Sequence, residues 1–396
     1  MKKVLHSVID KVFNWNNLKS ASRKVVQNKG SGGVDGMSVE KWVEQEDRHL
    51  SHLRKRLIAN TYRSKPVKRS YIDKPGSKKK RPLGVPIVRD RVCQQATHNV
   101  LSHVFEEYFH EDSYGFRPGR STHMAARRVE EIGREGYRYV VDLDIKGFFD
   151  HVDHEILMRL VRQVVKDRRV LGLIRGWLVA GVMEEGNVRY QTSGTPQGGV
   201  ISPLLSNIYL TPFDNALTEE GCRFVRYADD VVILCRDKEE ADRALGFARQ
   251  CLARLKLELS EEKTKITTFK AGFDFLGFRF KLGGRGISSK SIKAFYSKVR
   301  RATRRHQRDR PVEQIIETLN QTLRGWGNYH KEGRNVGIFT FLDNWVRRRL
   351  RSYIYKRWVT RKWFEVSKPT KEDFERMGLF SLRGILRPKN LQLQLF

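Results

Sequence analysis

Cysteine is scarce in this chain. Its 396 residues hold only Cys93, Cys222, Cys235 and Cys251, and no two of them fall at a zinc-binding spacing. That excludes a disulfide framework and a zinc finger, and it suits free or buried thiols in a reducing cytoplasm. No run of 18 apolar residues occurs, so no helix is expected to span a membrane. The opening "MKKVLHSVIDKVF" carries two lysines but no apolar stretch or small-residue cleavage site, so it does not read as a secretory signal. Internal repeats and low-complexity tracts are also missing. Acidic residues are a minority, 45 Asp and Glu against 77 Lys and Arg, for a formal charge of +32. Such a balance calls for a polyanionic partner, and nucleic acid is the commonest one. No segment joins a basic face to a strongly apolar one, which argues against a membrane surface as that partner.

What the chain does have is core-forming material. Apolar residues make up 39%, with 21 Phe, 13 Tyr and 7 Trp, and the length calls for two or three subdomains. Residues 1–65 read as helices broken by the turn-like "NKGSGGVDGMS". "YIDKPGSKKKRPLGVPIVRDR" (Tyr71–Arg91) reads as a hairpin with a basic tip, followed by a helix over Val92–Phe109. Arg138–Val161 reads as a buried strand running into a helix. Tyr190–Glu219 is a Gly/Pro loop opening a long helix, a helix is expected around Lys238–Leu255, and Leu257–Phe280 suggests strands and turns. Between Ser291 and Val366, 19 Lys and Arg stand against 6 Asp and Glu, with aromatics interleaved. This shift in composition places a domain boundary near Gly283–Gly286.

Within "FVRYADDVVILC" (Phe224–Cys235), Asp229 and Asp230 are adjacent and flanked by strand-forming residues. Two unit charges ~4 Å apart repel by roughly 4 kcal/mol at an effective dielectric near 20. Taken alone, the pair reads as a solvated turn, because Asp is a favoured turn residue. "VVDLDIKGFFD" adds Asp142 and Asp144, two apart and so on one face of a regular strand. Nucleotide polymerisation uses two divalent metals ~3.5–4 Å apart, bound by carboxylates from separate segments. A strand carrying one acid and a hairpin carrying two would supply them. Spacing alone does not choose between Asp142 and Asp144.

"VVDLDIKGFFDHVDH", "SGTPQGGVISPLLSNIYL", "RYADDVVIL" and "FDFLGFRF" occur in the order and at the spacing of the motifs of group II intron reverse transcriptases, and the chain resembles that family. "KKKRPLGVPIVRDRVCQQA" and "SYGFRPGRSTHMA" resemble its finger motifs, and "KGSGGVDGMS" its N-terminal extension. The C-terminal "LRGWGNYHKEGRNVGIFTFLDNWVRRRLRSYIYKRW" resembles its thumb and maturase region. The resemblance implies an α+β right-hand polymerase. Its parts would be an N-terminal extension (1–65), fingers (66–137), a palm with an antiparallel sheet (138–286) and a helical thumb or maturase domain with its tail (287–396). It also implies RNA-directed DNA synthesis with two Mg²⁺ ions, for which Mn²⁺ could substitute. The implied partners are template RNA, above all a group II intron RNA, a DNA primer or target, and dNTPs, with no membrane.

Carried over by residue, the resemblance makes Asp144, Asp229 and Asp230 the catalytic metal ligands and adds the backbone carbonyl of Ile145. Asp142 becomes a supporting residue. Lys74 and Arg81 would hold the incoming triphosphate, although Lys78–Lys79–Lys80 leaves the lysine open by a few positions. Phe149 would be the steric gate against a ribose 2′-OH, and Gln197 would position the nucleotide. Phe275, Leu276, Gly277 and Phe278 would form the primer grip. Lys263 or Lys265 is a candidate proton donor to pyrophosphate. No late Cys pairs or His-Asn-His pattern occur, which resembles compact endonuclease-lacking, bacterial class C-like proteins. A stand-alone relative serving DNA repair or phage defence stays open, as does a protein that is mainly an RNA-binding maturase. The site of action expected from all this is a bacterial cytoplasm, at the nucleoid when the protein acts on DNA.

Overall fold

The computed structural model describes residues 3–73, 80–184, 187–189, 193–195, 198–304, 310–333, 335–357 and 369–386. The fold is α+β and divides into two compact units, Met1–Thr268 and Phe269–Phe396. The first unit opens with short helices, α1 (Ile9–Val12), α2 (Trp15–Gln27), α3 (Val39–Glu44) and α4 (Glu46–Ile58). Asn14 caps α2 by accepting from the N–H groups of Asn16 and Asn17, and Ser38 caps α3 through Lys41 N–H. Helix α2 buries Leu18, Ala21, Ser22 and Val25, the spacing of one helical face.

A hairpin follows, β1 (Val67–Asp73) against β2 (Lys80–Val85), and then α5 (Val88–Phe105), which is buried along most of its length. Next come α6 (Thr122–Arg134), β3 (Tyr139–Asp144), α7 (Phe148–His151), α8 (His154–Val164) and α9 (Arg168–Leu178). Strands β4 (Val182–Glu184) and β5 (Asn187–Arg189) extend the first hairpin into a sheet of order β2-β1-β4-β5. Helix α10 (Ser202–Glu219), β6 (Arg223–Tyr227), β7 (Asp230–Cys235), α11 (Lys238–Arg254) and β8 (Lys265–Thr268) complete the unit. The central sheet is antiparallel, in the order β6-β7-β3-β8. Its Val, Ile and Leu side chains join those of α8, α9, α10 and α11 in one core.

The second unit is a three-stranded meander, β9 (Phe273–Phe275), β10 (Phe278–Lys281) and β11 (Gly284–Ile287), followed by helices. These are α12 (Ser289–Ala302), α13 (Val312–His330), α14 (Val336–Arg357) and α15 (Lys371–Arg376). The change in charge near Gly283–Gly286 therefore does not mark the division, which falls earlier, at Thr268/Phe269. Composition tracks the exposed side chains, whereas the division follows the core that the apolar ones join. Phe278 of β10 stacks on Tyr329 of α13 with ring centroids 5.3 Å apart, and Tyr329 donates to the Leu276 carbonyl at 2.8 Å. Trp326 and Trp345 also pack inward, against Phe295 and Tyr296.

Among the described residues, no helix is long and apolar enough to cross a membrane. All four cysteines are free thiols; burial pushes Cys235 up to about 12 and Cys222 up to about 11, which leaves both protonated and inert.

One acid ties the N-terminal segment to the first unit. Asp167, buried at the corner between α8 and α9, accepts from Val8 N and Ile9 N through Oδ2, and from Arg169 N and Val170 N through Oδ1. Burial alone would raise its pKa, but the four backbone donors outweigh it and hold the carboxyl below its ordinary 3.8. With a depressed folded pKa, its contribution to stability is present above about 3.8 and is lost as pH falls through the folded value. Asp167→Ala should cost about 2–4 kcal/mol and flatten the decline of stability on the acid side of that window. Chemical denaturation at neutral pH and near pH 3 checks both, and a loss under about 0.5 kcal/mol would contradict the assignment.

Candidate active site

Strand β3 places its last residue, Asp144, directly opposite Asp230, the first residue of β7. Tyr227 pairs with the same Asp230 from β6, so Ala228 and Asp229 form a two-residue hairpin tip beside the β3 terminus. Three carboxylates are thereby brought to one edge of the central sheet. Asp230 is exposed, while Asp144 and Asp229 are half-buried. Burial raises the Asp229 pKa and the charge of Asp144 adds to that rise, while Arg81 and Arg226 pull the other way. Beyond Asp144 the chain is gripped by the loop ahead of β8: Ser260 N donates to the Asp144 carbonyl at 2.8 Å, and Ile145 bridges Leu259.

The repulsion is offset by a lysine. Lys263 Nζ lies 2.9 and 3.1 Å from the two carboxylate oxygens of Asp144. Lys265 Nζ lies 3.7 Å from an Asp142 oxygen, so each of the two strand acids carries a lysine partner. Among the described residues no three His, Cys, Asp or Glu side chains are drawn together as a preformed metal cluster. The donor chemistry nonetheless fits a hard divalent cation. Hard carboxylate oxygens from two segments share an edge, and an ammonium already occupies both oxygens of one of them.

Residues 72–280 match the family model for reverse transcriptase (RNA-dependent DNA polymerase), and residues 292–368 match that for the group II intron maturase-specific domain. The chain belongs to the reverse transcriptases. Protein YkfC of Escherichia coli is 35% identical over 66% of this chain and 79% of its own length. The group II intron-encoded protein LtrA of Lactococcus lactis is 31% identical over 69% of this chain, which spans only 56% of LtrA. A solved telomerase from Candida albicans covers 80% of this chain at 14% identity with a TM-score of 0.46.

The other residues that the resemblance singles out fall as follows. Phe149 in α7 is half-buried, edge-on to Phe148 at 5.2 Å, and its carbonyl accepts from Thr195 N at 2.8 Å. The start of "GTPQGG" is thus tied to the turn carrying Phe149. Gly198, with φ +113°, lets that loop approach β2, since a Cβ there would meet the Gly84 carbonyl oxygen at 2.8 Å. Lys74 and Gln197 lie outside the described residues. In the second unit, Leu276 and Gly277 both have positive φ and form the tip of the β9–β10 hairpin. Phe275 and Phe278 are buried, so only Leu276 and Gly277 offer accessible surface in that motif.

Sequence reasoning missed the support beneath the acids. Arg226, fully buried in β6, donates through Nε to Asp214 Oδ1 at 2.7 Å and through Nη2 to Asp214 Oδ2, while Nη1 donates to Asn207 Oδ1 and to the Ala228 carbonyl, each at 3.0 Å. Ala228 has φ +58°, a conformation costing an L-residue roughly 1–2 kcal/mol, and the Arg226 bond holds its carbonyl there. Gly115 packs so close beneath it that a Cβ would lie 2.2 Å from Ala228 N. The signal was available: an Arg inside an apolar strand, and Asn and Asp seven apart on a mostly apolar helix. Asp214→Ala would leave the guanidinium charge buried and unpaired, at a cost of about 3–5 kcal/mol. Equilibrium denaturation checks this, and a cost below about 1 kcal/mol would show that the pair does not hold the tip.

Proposed function

We propose that the chain copies RNA into DNA at the β3–β7 edge, and that its second unit binds group II intron RNA and assists its folding. The observation that carries the first part is the opposition of Asp144 and Asp230 across two paired strands, with Asp229 at the adjoining tip. Asp144, Asp229 and Asp230 would hold two Mg²⁺ ions, with the Ile145 carbonyl as a further ligand. When bound, such ions activate a 3′-hydroxyl and neutralise charge on the reacting phosphate.

The protein's own part is placement. Arg81 of β2, whose charge favours the ionised form of Asp229, has the planar guanidinium that suits a triphosphate, and Lys74 would share that role. Phe149 closes the side where a 2′-hydroxyl would project, backed by its own ring neighbour Phe148 and by the Thr195 hydrogen bond. Gln197 would position the nucleotide. The Leu276–Gly277 tip holds the primer strand through its accessible backbone, with Phe275 and Phe278 as its packed base. For the second unit, the support is the excess of Lys and Arg over Ser291–Val366 and the match of 292–368 to the maturase-specific domain.

Asp144→Ala should lower primer extension on an RNA template by about 10³-fold or more, while RNA affinity stays within about threefold. Extension at the wild-type rate would remove the metal-site assignment. Phe149→Ala should raise ribonucleotide over deoxynucleotide incorporation by about tenfold or more, one tenfold step being 1.4 kcal/mol of discrimination. Competition between labelled dNTP and rNTP reads that ratio, and an unchanged value would take the gate away from Phe149.

A further inference from the structure

A second cationic feature lies at the corner where α8 turns into α9. A cleft of about 540 Å³ opens there, with Arg162, Lys166, Arg168 and Arg175 around it and Met158 and Leu171 among its lining. All four cations are exposed. Arg175 is paired with Glu155 at 2.7 Å, whereas Arg162, Lys166 and Arg168 have no carboxylate partner among the described residues. The acid that would otherwise neutralise them is Asp167, which sits between Lys166 and Arg168 in sequence. Its two oxygens are taken by the backbone N–H groups of Val8, Ile9, Arg169 and Val170. The corner is therefore fixed by an acid that does not spend itself on the neighbouring cations, and the cleft keeps its positive charge in a preorganised frame. Helix α8 runs for 11 residues, about 16 Å, from its Asp153 cap to this corner, so the cleft stands at the end of α8 away from the Phe149 turn.

We propose that this cleft binds the sugar–phosphate backbone of a structured RNA outside the catalytic edge. The inference rests on the reading that the chain handles RNA. Arg168 and Arg175 are seven residues apart on α9, hence on one face and about 10 Å apart along the axis, a span longer than one phosphate. Arg162 and Lys166 border the same cleft from α8 and the corner. Two helices and the corner between them thus present four cations around one cleft, which suits several phosphates rather than a single anion. The apolar floor offers a seat for ribose. None of the cleft's apolar residues is an exposed large hydrophobic that a bilayer could take up.

The test uses the full chain and a 30-base-pair RNA duplex as probe. Binding is measured from 50 to 300 mM KCl for wild type and for the triple variant Arg162→Gln, Lys166→Gln, Arg168→Gln. Loss of three phosphate contacts should reduce the slope of log K against log salt by about 2–3 and weaken binding about 10- to 100-fold at 100 mM KCl. The charge-keeping variant Arg162→Lys, Lys166→Arg, Arg168→Lys should hold the wild-type slope. A control that removes three exposed cations elsewhere, Arg134→Gln, Lys238→Gln, Arg243→Gln, should change the slope by less than about 1. Primer extension by the cleft variant on a short RNA template should stay within twofold of wild type. A slope unchanged in the cleft variant, or lowered equally in the control, overturns the proposal. If the wild-type chain extends no primer, the polymerase reading fails, while the salt slopes still decide the cleft.

Discussion

A fully buried ion pair underlies the acidic edge of the central sheet. Arg226 and Asp214 are both inaccessible to solvent, and their pairing gives up hydration that only close, multiple hydrogen bonds can replace. The guanidinium spends its remaining donor on Asn207 and on the carbonyl of Ala228, the residue that turns β6 into β7. That turn requires a left-handed alanine and leaves room beneath it only for Gly115. The Arg226 backbone is fixed as well, since its N–H donates to the Asp112 carbonyl and its carbonyl accepts from Tyr114 N. With the tip so constrained, Asp229 and Asp230 are held beside Asp144 despite their mutual repulsion. The carboxylates stay exposed enough to meet a cation, and the machinery that aims them is dry.

The acidic edge sits in a chain of formal charge +32, and the surrounding cations tune it. Lys263 satisfies Asp144, Lys265 satisfies Asp142, and Arg81 favours the ionised form of Asp229 against the burial that opposes it. The α8–α9 corner shows how a chain can keep cations unpaired even with an aspartate between them: the acid is bound by backbone N–H groups first.

Much of this was readable in advance because it rests on local pattern. Valine-rich runs gave β3 and β7, the Gly/Pro loop ahead of Ser202 gave α10, and the adjacent acids marked the hairpin tip. The strand register, which spacing does not supply, sets Asp144 against Asp230 and Asp142 against Val232. The stretch around Phe275–Phe278 was legible as strands and turns, but the Phe278 ring packs on Tyr329 and His330 of α13, far along the chain. The same long-range packing moved the unit division to Thr268/Phe269. An Arg inside an apolar strand and an Asn and Asp seven apart on α10 were signals, but their partnership becomes visible only when α10 lies against β6. Long-range pairing of polar groups leaves little trace in composition or periodicity.

The central claim is that the β3–β7 edge is a divalent-metal site assembled from Asp144, Asp229 and Asp230. Its most direct test is the anomalous scattering of Mn²⁺ in crystals of the chain with an RNA template, a DNA primer and an incoming dNTP. The account predicts manganese peaks coordinated by Asp144 and Asp229, with Lys263 displaced from the Asp144 carboxylate. A ternary complex with Lys263 still bridging Asp144, and manganese bound elsewhere or absent from these acids, would contradict it.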